Sequence, residues 1–357
     1  MNTMRNVLIA SAIGCLFVFG PVADSVAEHE YEQKSRHFTV RCDEGKNPQR
    51  ILDRIRYPGP IELHLVGTCP SLSIGRAEVW VLPGDDQPCP SATIEGEIEI
   101  GKVHGVELIC LNVAGPNAYI GVYGGEVILE RVNVYGSNDT AIEIRDGGSV
   151  YAEGISVTDN GEGIALEAGY AQFADSEIAD NFSGVRVENN SYFEMGGGFI
   201  RNNHTEGVVV RSSSVIDFEF TEVSGNGADG VVLTGGSRAD LTGVDIIDNT
   251  WTGLGLADSA SATLTDVTIA RNGRAGMYLD WHATARIMEG SPNEAAIVNN
   301  GGSGIDVVHD SAVQIGPGVD VHSNGSGMAV YCDGRESSVD IDPGAVVDSI
   351  NCLDPGF

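Results

Sequence analysis

Along most of the chain, apolar and polar residues alternate with a period of two in short runs, and the runs recur at a nearly fixed interval. Aligned on a glycine, the repeat gives Gly163, Gly184, Gly207, Gly230, Gly253, Gly276, Gly304 and Gly327, with Ala141 in the same place one unit earlier. Successive steps are 22, 21, 23, 23, 23, 23, 28 and 23 residues, and the long step carries an insertion around Ser291-Pro292-Asn293-Glu294. Positions one and three after the glycine are apolar every time, from Ile142/Ile144 through Val208/Val210 and Ile305/Val307 to Met328/Val330. A second pair follows, as at Phe193/Met195 and Ala262/Leu264, and a third apolar position, as at Ile178 and Val223, precedes a turn. Alternation of this kind predicts three strands per unit, each with one buried face.

A unit of about 23 residues buries no apolar face alone, so the units must stack, each strand pairing in parallel with its counterpart one coil away. At ~4.8 Å per coil, about eleven coils make a solenoid roughly 50 Å long with a narrow apolar interior. Leucine-rich repeats share the length, but the L-x-x-L-x-L pattern and alternating helices are missing. Three residues after the third apolar position stands an asparagine: Asn160, Asn181, Asn203, Asn226, Asn249, Asn272, Asn300 and Asn324. Its amide both donates and accepts, so the series predicts a hydrogen-bonded ladder holding the turns in register. Asn138, Asn181, Asn189, Asn203 and Asn324 also open N-glycosylation sequons, which this reading assigns to composition, three of them belonging to the turn series.

The pattern N-x(2,3)-G-[IVLM]-x-[ILV], repeated from Asn138 to Val330, resembles the pectate-lyase-like superfamily. That resemblance makes the expected fold an all-β, right-handed parallel β-helix with a short N-terminal capping helix. It says little about activity, since the fold carries lyases, hydrolases, epimerases, adhesins and phage tailspikes. The opening through Val40-Arg41-Cys42, Asn47-Pro48-Gln49 and Gly67-Thr68-Cys69 looks like the cap of exported members. There Asn47 would cap a helix with Pro48 at its first turn and Ile51, Leu52 and Ile55 facing the first coil.

Residues 1–27 read as a signal peptide: Arg5, an apolar run from Val7 to Phe19, and Ser25-Val26-Ala27 before the cut. Ala12-Ile13-Gly14-Cys15 offers a lipoprotein alternative, against which the apolar run continues past Cys15. Residues 28–60 would form the N-terminal segment and cap helix, and residues 61–357 the β-helix. Of 357 residues, 20 are Lys or Arg and 51 Asp or Glu, a net charge of −31 that cleavage at residue 27 leaves unchanged. Such a surface repels nucleic acid and anionic membranes. It suits a solvated coat; calcium is a possible companion, but no EF-hand or nonapeptide loop is present and no metal ligands are assigned. Cleavage removes Cys15 and leaves six cysteines, an even number, in an exported chain. Their distribution favours sequential pairing: Cys42–Cys69, Cys89–Cys110 and Cys332–Cys352.

Chemistry on this scaffold is sought among outward side chains. Tyr278, Asp280 and His282 fall on one coil and Asp306, His309 and Asp310 on the next, with Asp306 expected beside Tyr278 and Asp310 beside His282. Arg274 shares a column with Trp251 and is expected to stack on it. Tyr278-Leu279-Asp280-Trp281-His282 is similar to the Y-x-x-D-P-H motif of alginate C5-epimerases, with Trp281 in place of the proline and the tyrosine one residue too close. The residue types themselves would suffice for proton abstraction from a uronic acid, with a base and acid at Tyr278 and His282, orientation by Asp280 or Asp306, and a uronate held by Arg274. Trp251, Asp306, His309 and Asp310 complete the candidate substrate-binding set. The expectation is a secreted, periplasmic or surface β-helix that binds carbohydrate or serves as a scaffold; the alternative is a polysaccharide lyase or uronate epimerase. An extracellular polysaccharide is the expected partner, with neither nucleic acid nor a membrane span.

Overall fold

The computed structural model describes residues 35–84, 89–290, 295–325, 327–333 and 337–352. The signal peptide, Cys15 and the insertion at residues 291–294 lie outside the described residues. No described helix is long and apolar enough to cross a membrane.

The strands wind into a three-sided parallel coil of about 13 turns, two more than the repeat count predicts. The extra turns precede Ala141, where strands such as Ile61–Val66 and Val79–Pro83 stack without the Asn and Gly markers. Sheet A collects the strands after the repeating glycine, including Val208–Val210, Val231–Leu233, Leu254–Leu256, Met277–Leu279 and Ile305–Val307. Sheet B collects the next strand of each turn, from Arg36–Arg41 and Ile61–Val66 to Ser338–Ile341. Sheet C holds the third, such as Glu222–Ser224 and Thr268–Ala270. Alternation decides which side chains enter: Val208, Val210, Phe193, Phe218 and Val223 are all fully buried. Inside sheet B, Phe173, Phe193 and Phe218 meet edge to face with ring centres 5.3 and 5.6 Å apart, the geometry favoured by the ring quadrupoles.

The final turn differs from the sequence alignment. Val330 and Cys332, rather than Met328 and Val330, pair with Ile305 and Val307. Ala329, not Gly327, therefore holds the glycine place, and Tyr331 stands in register with Asp306. Two extra residues in the preceding turn shift the register, and period two alone permits either alignment.

The asparagine ladder is formed as expected. From Asn160 to Asn300, each Nδ2 donates to Oδ1 of the next asparagine, at 2.9–3.1 Å, and to a carbonyl of the previous turn, while the backbone N–H donates to that same Oδ1. Ser137 occupies the rung below Asn160, its N–H donating to Asn160 Oδ1, and Asn138 is exposed outside the ladder. The ladder also explains the glycine column, whose φ angles are ordinary. A Cβ at Gly230 would lie 2.7 Å from both Asn249 Nδ2 and the Gly253 carbonyl oxygen, so the site demands close backbone approach.

At the N-terminal end a helix spans Pro48–Arg54, capped by Asn47, whose side chain accepts from the Gln49 N–H at 2.8 Å. Leu52 is buried, and Ile51 and Ile55 pack against the core. The disulfides join Cys42–Cys69, Cys89–Cys110 and Cys332–Cys352, as their distribution suggests.

Candidate functional site

On sheet A the middle residue of each strand points outward. In register these residues run Glu143, Ala165, Arg186, Val209, Val232, Gly255, Tyr278, Asp306 and Tyr331. At the early end the charges neutralise one another. Arg186 pairs with Glu162 at 2.7 Å and Glu188 at 3.1 Å, and Arg145 with Glu143 and Glu167. Here a cleft of about 710 Å³ opens, lined by Glu97, Glu99, Tyr119, Glu143 and Arg186 among others. Burial, then the hydrogen bond from its hydroxyl to Glu143 at 2.5 Å, pushes the Tyr119 phenol far above its ordinary pKa. The glycine-aligned repeat alone does not reveal this cleft, because Glu97, Glu99 and Tyr119 stand on turns before Ala141. The next three rungs, Val209, Val232 and Gly255, form a shallow floor, extended by Thr234 and Ala257.

Beyond the floor the predicted cluster is assembled in part. The Tyr278 hydroxyl donates to Asp280 Oδ2 at 3.3 Å, and Asp280 Oδ1 lies 2.6 Å from Nδ1 of His309 on the next rung. The register places Asp306 beside Tyr278, and His282 Nε2 lies 3.6 Å from Asp310 Oδ2. Burial first, then Asp280, Asp306 and Asp333, raise the Tyr278 pKa, so its phenolate is disfavoured. Burial likewise raises Asp306, with a smaller opposing hydrogen bond from Ser303, and its Oδ1 is buried with no hydrogen-bond partner.

Arg274 stacks on Trp251, its guanidinium 4.5 Å from the ring centre, as its column implies. Both residues sit at the corner where sheet C turns into sheet A, whereas His282 and His309 sit at the opposite corner. Six residues separate Arg274 from Asp280, a span of up to about 20 Å in extended chain. The structure therefore brings Tyr278, Asp280, Asp306, His309, His282 and Asp310 to one region and leaves Arg274 and Trp251 across the sheet.

Trp281, which the sequence marks only as a departure from the epimerase motif, joins this region. Its indole stacks on His309, ring centres 4.7 Å apart and planes inclined by 9°, and it remains 53% exposed. From the strand Ser183–Glu188 to Ile305–Val307, the corner after each sheet A strand uses two consecutive residues of positive φ. Asn189-Asn190, Ser212-Ser213, Gly235-Gly236 and Asp258-Ser259 supply them on successive rungs, and then Trp281-His282 and His309-Asp310. Small or turn-forming residues accept this conformation readily; a tryptophan at φ 49° is strained. The sequence holds the signal, a large aromatic breaking a column of Asn, Ser, Gly and Asp, but only the backbone angles make that column visible.

Residues 183–342, just under half of the chain, match the family model described as a right handed beta helix region. The chain is a right-handed parallel β-helix. A double mutant of the periplasmic alginate epimerase AlgG is similar over 88% of this chain and 84% of its own, with TM-score 0.55 and 13% identity. A single mutant of AlgG has TM-score 0.50, 13% identity and coverage of 88% and 85%. The A-module of the Azotobacter vinelandii mannuronan C-5 epimerase AlgE4 follows at TM-score 0.45 and 15% identity, covering 86% of this chain and 93% of its own. At such identities the likeness concerns the fold. No curated protein matches the sequence.

Proposed function

We propose that this β-helix is an exported carbohydrate-recognition protein that holds an extended, uncharged glycan along sheet A. The observation that carries the reading is Trp281. Its indole is held at positive φ and stacks on His309 by one face while 53% of the residue stays exposed, and strain of this kind gathers at binding sites. Its ring and Tyr278 flank the shallow floor of Val232 and Gly255, where a sugar ring can lie flat. From Val209 to Tyr278 the floor runs about 15 Å at ~4.8 Å per rung, room for roughly three sugars. Asp280, Asp306 and Asp310 supply acceptors for hydroxyl groups and repel a polyanion. The signal-peptide pattern and three disulfides support export to the periplasm or cell exterior. The named action of AlgG on alginate supports a polysaccharide as the ligand class.

A polysaccharide lyase or epimerase is the second reading, favoured by the Asp280–His309 pair, which has the geometry of an oriented base. Against it stand the raised Tyr278 and the distance of Arg274. The test is a glycan array of neutral and uronate polymers followed by product analysis. Retention of an unmodified neutral glycan, weakened about thirtyfold by Trp281→Ala, is expected for an aromatic anchor that the bound glycan covers, worth about 2 kcal/mol. Release of unsaturated or epimerised uronate, abolished by His309→Ala, would establish the enzyme instead.

A further inference from the structure

At the N-terminal end of the coil, far in sequence from the aromatic corner, three side chains of sheet B converge on its outer face. His37 lies on the strand Arg36–Arg41, and Glu62 and His64 on Ile61–Val66, the rung stacked on it. His37 Nδ1 is 2.8 Å from Glu62 Oε2, His64 Nε2 is 3.3 Å from the same oxygen, and the two nitrogens are 3.4 Å apart. Among the described residues this is the one group of three or more His, Cys, Asp or Glu whose ligand atoms lie within 4.8 Å of one another.

We propose that His37, Glu62 and His64 bind a divalent cation of the zinc type, bridging the first two rungs of the helix. Zinc takes imidazole nitrogen and carboxylate oxygen at about 2.0–2.1 Å in a tetrahedron, whose ligands then stand about 3.3–3.4 Å apart. Two of the three separations already have that value. The third is a hydrogen bond that must open by about 0.5 Å, and His37, with a side chain 62% exposed, is free to turn.

Two further features favour a metal over a simple hydrogen-bonded triad. The Ser35 hydroxyl donates to Glu62 Oε1 at 2.6 Å, so the carboxylate is fixed with its other oxygen between the imidazoles. Such outer contacts orient metal ligands. Glu62 is also 8% exposed. A carboxylate so far removed from water calls for a paired or coordinated cation. Two imidazoles select zinc-type ions over calcium, which prefers an all-oxygen shell. Three protein ligands leave a fourth position facing solvent.

The untagged, chelator-treated chain should be titrated with Zn²⁺ by calorimetry and with Co²⁺ by visible absorption. One equivalent, absorption of tetrahedral type and a melting temperature that rises with metal are expected. His64→Ala and His37→Ala should abolish saturable binding, Ser35→Ala should weaken it about tenfold, and His322→Ala should leave it intact. Because His37 is largely exposed, its variant reports on the site even if His64→Ala unfolds the first rungs. Absence of stoichiometric binding, binding unchanged in His37→Ala, or equal loss in His322→Ala would each overturn the assignment.

Discussion

Asp306 shows how a single side chain links stability to the site. Burial beside Tyr278 raises its pKa, so its protonated form is favoured on folding. The stability it contributes is present at low pH and is lost as pH rises through the raised value, leaving a charged, partly desolvated carboxylate near neutrality. Asp306→Asn should therefore raise the melting temperature at pH 7, with the difference from wild type closing near pH 4. An unchanged melting temperature at pH 7 would show that the carboxylate is well solvated. At Asn249 the sign reverses. Its side chain accepts from Asn226 N–H and Nδ2 and donates to Val223 O and Asn272 Oδ1. Asn249→Ala orphans several of these groups inside the coil and should cost on the order of 3 kcal/mol in denaturant unfolding. Gly230→Ala should cost about 2 kcal/mol by forcing the ladder apart.

At the scale of elements, the turns carry more information than the strands. The strands of sheet A are interchangeable apolar pairs, but the corner that follows them is built from two left-handed residues, and its occupants change from Asn, Ser, Gly and Asp to Trp281 and His309. Trp281→Asn should relax that corner and stabilise the fold slightly while removing glycan retention; a loss of both would assign the indole a packing role. The disulfides act at the ends. Cys332 and Cys352 are direct register partners on adjacent strands, and a closed loop of roughly 20 residues is worth about 3 kcal/mol. Reduction should first raise amide exchange in the terminal rungs, leaving rungs around Val208–Val210 protected. Uniform loss of protection would mean that the coil unfolds as one unit.

Across the whole molecule, a net charge of −31 is wrapped around an apolar cylinder only a few side chains wide. Self-repulsion opposes the compact state, so the melting temperature should rise between about 10 mM and 0.5 M salt as the Debye length shrinks. The same field disfavours polyanionic glycans, which keeps the proposed ligand uncharged. Regularity also makes the coil independent of any one rung: Val210→Asp buries an unpaired charge at the cost of several kcal/mol, yet neighbouring rungs retain their own pairing.

The repeating apolar pairs and the Asn column by themselves determined the three strands per turn, the parallel stacking, the ladder and the buried core. They did so because burial and amide pairing recur with the same period as the coil. The even cysteine count called for bridges and their distribution favoured sequential pairing, but it was the structure that decided the connectivity among the possible ones. Only the tertiary structure decided the register of Val330 and Cys332, since period two allows a shift by two residues at no cost in alternation. It also decided that Arg274 stands across the sheet from Asp280, because strand direction separates residues that are close in sequence. And it placed His37 against Glu62 and His64, a contact made by stacking one rung on the next, which no spacing along the chain announces.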